Sequence, residues 1–136
     1  MFISKTKIRV RYAETDKMGY AYYGNYAQYY EVGRVEALRF LGMSYQKLEN
    51  SGIMMPVIQM TMNFKNPAFY DDELIIKTII KEKPDVRMKF YYEIYNDNNI
   101  LINYGETILV FVNQATMKPC HCPEDFQELF KRFDLE

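Results

Sequence analysis

Residues 9–41, RVRYAETDKMGYAYYGNYAQYYEVGRVEALRFL, join the end of an alternating strand to the one long helical pattern of the chain. Upstream, Lys5, Lys7, Arg9 and Arg11 alternate with Thr6, Ile8, Val10 and Tyr12. This period of two predicts a half-buried strand over residues 5–13. Glu14, Thr15 and Asp16 make a polar turn, Met18 and Gly19 redirect the chain, and an aromatic knot runs from Tyr20 to Tyr26. From Asn25 to Leu41 the period becomes helical. Tyr26, Tyr30, Gly33, Ala37 and Phe40 share one stripe, with Tyr29 and Leu41 at its edges and Gln28, Glu31 and Arg39 on the other side. Seventeen residues rising ~1.5 Å each make a helix of about 25 Å. Gly33 and Ala37, in mid-stripe, are small enough to let the helix backbone lie close to a sheet. A carboxylate, Asp16, therefore stands just ahead of a helix N-terminus, among tyrosines. Such a terminus presents free N–H groups and partial positive charge. It can polarise a carbonyl oxygen while the carboxylate attacks, or activates water to attack.

Beyond the helix, Gly42 suits a C-terminal stop, and Ser44 is placed to cap a short second helix through Glu49. Strands follow to residue 115. Ile58, Met60, Met62 and Phe64 alternate with Gln59, Thr61, Asn63 and Lys65, and Asn66-Pro67 ends that run. Residues 74–83 are β-branched and apolar, which predicts a strand buried on both faces for part of its length. Met88, Phe90, Tyr92 and Ile94 then alternate with Arg87, Lys89, Tyr91 and Glu93, and Asn96-Asp97-Asn98-Asn99 reads as a hairpin turn. Residues 100–113 read as the last long strand, with Gly105 as a bulge. Pro123 opens a final amphipathic helix over residues 124–133. One helical stripe needs one sheet face to bury it, so these patterns predict an α+β chain with an antiparallel sheet and one central helix.

With 136 residues, the chain suits one domain, residues 1–136, large enough to bury a core without staples. Its net charge of −1 gives no global electrostatic footprint for nucleic acid or an anionic membrane. The N-terminus carries Lys5, Lys7, Arg9 and Arg11 and no apolar core of a secretory signal. No apolar run is long enough for a transmembrane helix. Cys120 and Cys122 are too close in sequence for an unstrained bridge, which fits a reducing cytoplasm. The aromatic share is high, with 13 Tyr and 9 Phe, as in chains that favour strands and half-apolar, half-wet interfaces.

The opening stretch resembles the signature of the hotdog-fold acyl-CoA thioesterases of the 4-hydroxybenzoyl-CoA thioesterase-like family. In that signature an Asp follows an aromatic residue, Gly stands three positions on, and aromatic, Tyr or His, any residue, Asn and Tyr lead into a helix. Here these are Tyr12, Asp16, Gly19, Tyr22, Tyr23, Gly24, Asn25 and Tyr26, with Glu31 and Arg34 further along. The resemblance implies a hotdog fold, a curved antiparallel sheet wrapped round one long central helix. It implies cleavage of an acyl-CoA thioester to a free acid and coenzyme A, without metal or organic cofactor. It also implies a homo-oligomer, a dimer or a dimer of dimers (a homotetramer), with the active site between subunits.

Carried onto this chain, the resemblance makes Asp16 the nucleophile or general base, with Tyr23 and Tyr12 as further catalytic candidates. The backbone N–H groups of Tyr23 and Gly24 would face the thioester oxygen. Gly19, Asn25 and Tyr26 would shape the substrate site, and Arg87 and Lys89 are the candidates to meet coenzyme A phosphates; Lys65 stands just before the Asn66-Pro67 strand end. Exclusion supports a carboxylate mechanism. His121 is the only histidine, and the chain holds no G-x-S-x-G elbow, P-loop or G-x-G-x-x-G. Cys120-His121-Cys122 cannot easily converge on one tetrahedral ion, so no metal site is expected. Two rivals stand beside the acyl-CoA thioesterase: a thioesterase acting on acyl carrier protein, and a non-catalytic hotdog that binds acyl-CoA.

Overall fold

Alternation at the N-terminus makes β1 (Phe2–Arg9), with Ser4, Thr6 and Ile8 turned inward and the intervening cations outward. The strand begins earlier and ends earlier than the sequence pattern predicts. Its C-terminal part gives way to a single 3-10 turn over Tyr12–Glu14, because Glu14 reaches back to the backbone N–H of Arg11 and closes the chain on itself. A computed structural model describes all residues 1–136. Next come α1 (Asn25–Phe40), α2 (Tyr45–Asn50), β2 (Ile53–Met54), β3 (Val57–Phe64), β4 (Glu73–Ile80), β5 (Arg87–Asn96), β6 (Leu101–Val110), β7 (Val112–Asn113), β8 (Lys118–Pro119) and α3 (Glu124–Glu128). Ser44 caps α2 as expected, its hydroxyl accepting the Lys47 N–H at 3.1 Å.

Five strands form one antiparallel sheet in the order β1-β4-β5-β6-β3, and β2, β7 and β8 form a small second sheet. Helix α1 lies on the inner face of β1, β4 and β5. Gly33 permits this approach: a Cβ there would stand 2.5 Å from Thr78 Oγ1 and 2.7 Å from Ile76 Cγ2. Tyr30 stacks on Tyr92 of β5 with ring centroids 4.1 Å apart and 5° between planes. Met88, Phe90, Tyr92 and Ile94 of β5 are all buried, as their alternation predicts. Each such side chain contributes roughly 1.5–3 kcal/mol by burial. This is the hotdog arrangement expected from the resemblance.

Four expectations are corrected. Phe40 is 74 % exposed rather than part of the buried stripe, while Arg34 and Leu38 are buried. Tyr26, Tyr30, Gly33 and Ala37 of the stripe are buried as expected, and only Phe40, in the last turn of α1, leaves it, its ring 6.1 Å from that of Phe2. Gly105 is not a bulge; it sits in register between Tyr92 and Met62. Its lack of a side chain makes room for the Tyr30 hydroxyl, which would lie 2.7 Å from a Cβ there. The irregularities fall instead between Ile94 and Tyr95 and between Val57 and Gln59. The last long strand breaks at Phe111, whose side chain turns into the core against Phe126. Finally, α3 ends at Glu128, and the rest of the expected helix is a series of turns that bury Phe130.

Candidate active site

The loop between β1 and α1 is a tight turn held by its own carboxylate. The Asp16 N–H donates to the Tyr20 carbonyl at 2.8 Å, and the Gly19 N–H donates to the Asp16 carbonyl at 3.0 Å. The turn needs a left-handed residue, and Gly19 supplies it with φ +83°. Asp16 Oδ1 accepts the N–H groups of Met18 at 2.9 Å and Tyr20 at 3.2 Å. Oδ2 has no hydrogen-bond partner in the chain. The aspartate is thus both a turn residue and an oriented carboxylate.

Asp16 lines a cleft of about 280 Å³ together with Met18, Tyr20, Tyr23, Tyr26, Phe64 and Lys65. The cleft opens at the free edge of the main sheet, where β3 ends. Tyr26 forms a buried wall, its ring 5.7 Å from that of Phe64. Burial pushes its phenol up to about 12, so it stays a neutral hydroxyl near neutral pH. Tyr23 stands at the cleft with its ring against Tyr22 at 4.5 Å. No side chain caps α1, whose N-cap is Gly24. The N–H groups of Tyr23 and Gly24 donate to no acceptor in the chain, whereas those of Asn25 and Tyr26 are taken by the carbonyls of Tyr22 and Tyr23 at 2.9 and 3.3 Å.

A second acid, not singled out by sequence, braces this site. Glu14 is 8 % exposed. Its carboxylate accepts the Arg11 N–H at 2.9 Å, the Arg11 guanidinium at 3.0 and 2.9 Å, and the Tyr29 hydroxyl at 3.0 Å. Burial works to raise the Glu14 carboxyl, and these hydrogen bonds outweigh it, leaving the group below its usual range. The Glu14 carbonyl in turn accepts the Tyr22 N–H at 2.8 Å and the Asn25 side-chain amide at 2.6 Å. Its only sequence signal was its spacing from Arg11, which alternation had assigned to a strand.

The chain brings Asp16, Tyr23, Tyr26 and Lys65 to one cleft, with Gly19 and Gly24 shaping its backbone. Asn25 ties the helix start to Glu14 and does not line the cleft. Tyr12, 78 % exposed, packs edge-on against Tyr70 at 5.6 Å, outside the cleft. Arg87 and Lys89 lie on the opposite face of β5 from its buried residues. Lys89 pairs there with Glu106 at 3.4 Å. The cation that the structure places beside Asp16 is Lys65, which also lies 5.6 Å from the centre of the Tyr104 ring. In the Cys120-His121-Cys122 segment, Cys122 is buried, and His121 is exposed and meets Asp85 at 2.7 Å. No helix is long and apolar enough to cross a membrane.

The sequence profile of the thioesterase-like superfamily matches residues 10–130. The chain is 32 % identical over 128 residues to the putative acyl-CoA thioesterase YneP of Bacillus subtilis, covering 94 % of this chain and 93 % of that protein. It is 34 % identical over 125 residues to the acyl-CoA thioester hydrolase YbgC of Escherichia coli, covering 92 % and 93 % respectively. Among solved structures, a DHNA-CoA thioesterase from Staphylococcus aureus superposes with a TM-score of 0.92 at 37 % identity, over 97 % of this chain and 91 % of that one.

Proposed function

The chain belongs to the thioesterase-like superfamily, and from that premise we propose that Asp16 drives hydrolysis of an acyl-CoA thioester in the cleft beside the N-terminus of α1. The protein is a thioester hydrolase of the hotdog fold, acting on acyl-CoA. The observation that supports this site is the Asp16 carboxylate itself, oriented through Oδ1 with Oδ2 free, in a cleft that also holds Tyr23 at the uncapped end of a 16-residue helix.

In this reading the thioester carbonyl oxygen lies against the free N–H groups of Tyr23 and Gly24. These donors stabilise the negative charge that develops when the carbonyl carbon is attacked. Asp16 Oδ2 either attacks that carbon or takes a proton from the water that does. The C–S bond then breaks and coenzyme A leaves as its thiol, its proton coming from water; in the general-base route the acyl group leaves at once as a carboxylate, and in the nucleophilic route it stays on Asp16 as a mixed anhydride until water hydrolyses it. Tyr26 and Phe64 wall the acyl side. Lys65 is placed to meet a phosphate, and Arg87 and Lys89 would serve only if another copy of the chain presented them.

The same reading makes the enzyme a homo-oligomer. Tyr20, Tyr22, Tyr23, Phe64 and Phe69 are each more than a third exposed at or beside the cleft. An apolar rim of that kind marks a surface that is covered in use. The cleft lies at the unpaired edge of β3, where a second β3 would supply the missing wall. The free thiols of Cys120 and Cys122 accord with a cytoplasmic enzyme of one domain. The test is thiol release from acetyl-, butyryl-, hexanoyl-, palmitoyl-, benzoyl- and 4-hydroxybenzoyl-CoA. Release from at least one substrate supports the reading, and silence on all of them overturns it.

A further inference from the structure

Gly24 opens α1 without a side chain, and its backbone gives no reason for that. At φ −63° and ψ −22° it lies in the ordinary right-handed helical region, which any residue adopts. A glycine there gives up more conformational entropy on folding than an alanine would. The position also passes over the serine, aspartate or asparagine that would cap the free end of the helix.

Tyr22 supplies the reason. A Cβ on Gly24 would stand 2.7 Å from Cε2 and 3.2 Å from Cδ2 of Tyr22, where packed carbon atoms need about 3.5–4.0 Å. The Tyr22 ring therefore rests on the bare backbone of Gly24. Its main chain is pinned on both sides. The Tyr22 N–H donates to the Glu14 carbonyl at 2.8 Å, and the Tyr22 carbonyl accepts the Asn25 N–H at 2.9 Å. The same ring meets that of Tyr23 with centroids 4.5 Å apart and 41° between planes. Tyr23 lines the Asp16 cleft, whereas Tyr22 does not. From outside the cleft, Tyr22 thus touches both residues whose N–H groups are free at the start of α1.

We propose that Tyr22 is a positioning residue for thioester hydrolysis: seated on Gly24, its ring holds the Tyr23 ring at the cleft and covers the Tyr23 and Gly24 N–H groups on their outer side. This deepens the thioesterase reading of the Asp16 cleft and rests on it. Donors stabilise a developing oxyanion most when they are fixed beforehand and kept from water. A small displacement at such a site lowers the rate out of proportion to its size. The Tyr22 ring is 45 % exposed, so it swings outward when Gly24 gains a Cβ. Gly24→Ala therefore dislodges the ring while the core stays as it is.

The experiment is a double-mutant cycle on wild type, Tyr22→Ala, Gly24→Ala and the variant that carries both, with Tyr22→Phe beside them. Thiol release is measured on the acyl-CoA that wild type cleaves fastest, with kcat and KM taken separately, and solvent exchange of the Tyr23 and Gly24 amide protons is followed by NMR. Tyr22→Ala and Gly24→Ala are each expected to lower kcat by about 10- to 100-fold with KM little changed. The double variant is expected to fall no further than Tyr22→Ala, because the new Cβ then meets no ring. Tyr22→Phe, which keeps the ring, should recover most of the loss. Full kcat in Tyr22→Ala, an equal loss in Tyr22→Phe, or losses that multiply in the double variant would each overturn the proposal. Should Gly24→Ala not fold, Tyr22→Ala against Tyr22→Phe decides by the same kcat. Should wild type release thiol from no acyl-CoA, the thioesterase reading falls, and amide exchange still decides whether the ring covers the two donors. Faster exchange in Tyr22→Ala than in Tyr22→Phe then supports the cover, and equal exchange overturns it.

Discussion

The Tyr29 hydroxyl donates to the Glu14 carboxylate at 3.0 Å, tying α1 to the turn that carries Asp16. One residue, Thr15, separates Glu14 from Asp16, so whatever holds Glu14 also sets where the Asp16 carboxylate points. Replacing Glu14 with Gln keeps the shape but removes the charge that Arg11 and Tyr29 serve. Loss of these charge-assisted bonds is expected to cost about 1–3 kcal/mol of stability, read as a lowered denaturant midpoint.

Acid titration should report the same residue. The folded Glu14 carboxyl lies below its ordinary value of 4.5. The stability that it lends is complete above that unfolded value and drains away as pH falls through the lower folded one. Wild type should therefore lose stability more steeply than Glu14→Gln below about pH 4.5. Denaturation curves taken from pH 6 to 3 would show it, and parallel curves would sink the assignment.

Asp16→Asn separates chemistry from architecture. Asparagine keeps an Oδ1 that can accept from Met18 and Tyr20, so the turn should survive and the melting curve should move little. The Oδ2 position becomes an amide that neither attacks a carbonyl nor takes a proton. Thiol release should fall by about 10²–10⁴-fold, the usual worth of a positioned acid or base. A well-folded variant turning over near the wild-type rate would remove Asp16 from the mechanism.

Gly33→Ala tests the closest contact between helix and sheet. A Cβ at this position must displace both the Thr78 hydroxyl and the Ile76 side chain. Although alanine favours helix, overpacking of this kind is expected to cost about 1–3 kcal/mol net, seen as a melting temperature lowered by several degrees.

The elements of this fold were legible where one face of a strand or helix met one neighbour. The β5 alternation, the α1 span and the Ser44 cap all follow from such local rules. Phe40 and Gly105 were misread because their meaning depends on a second element. Phe40 is largely exposed at the end of α1, and Gly105 is small because the Thr61 carbonyl of β3 and the Tyr30 hydroxyl, both far away in sequence, stand where its side chain would lie. At the candidate site, Asp16 and Gly19 are legible as a turn ahead of the helix, and Tyr23 is legible only through its place in the family signature. Glu14 did not, because its partner Tyr29 lies a whole loop away. Lys65 reaches the cleft only through the pairing of β3 with β6, which no periodicity encodes.

The free edge of β3 yields the last prediction. Val57 and Ile58 are 40 % and 49 % exposed there, on a strand with no neighbour on its outer side. Unpaired backbone groups beside exposed apolar side chains invite pairing with another strand. The cleft lies at the far end of the same strand, at Phe64 and Lys65. Wild type should therefore scatter light as a multiple of 16.3 kDa at micromolar concentration. Ile58→Lys, which places a charge on the edge, should shift the protein toward monomer. If a second copy completes the cleft, thiol release should fall together with the oligomer, although Asp16 and its turn are untouched. A monomer with full activity would show that one chain holds the whole site. An oligomer that persists in Ile58→Lys would place the contact on another face of the sheet.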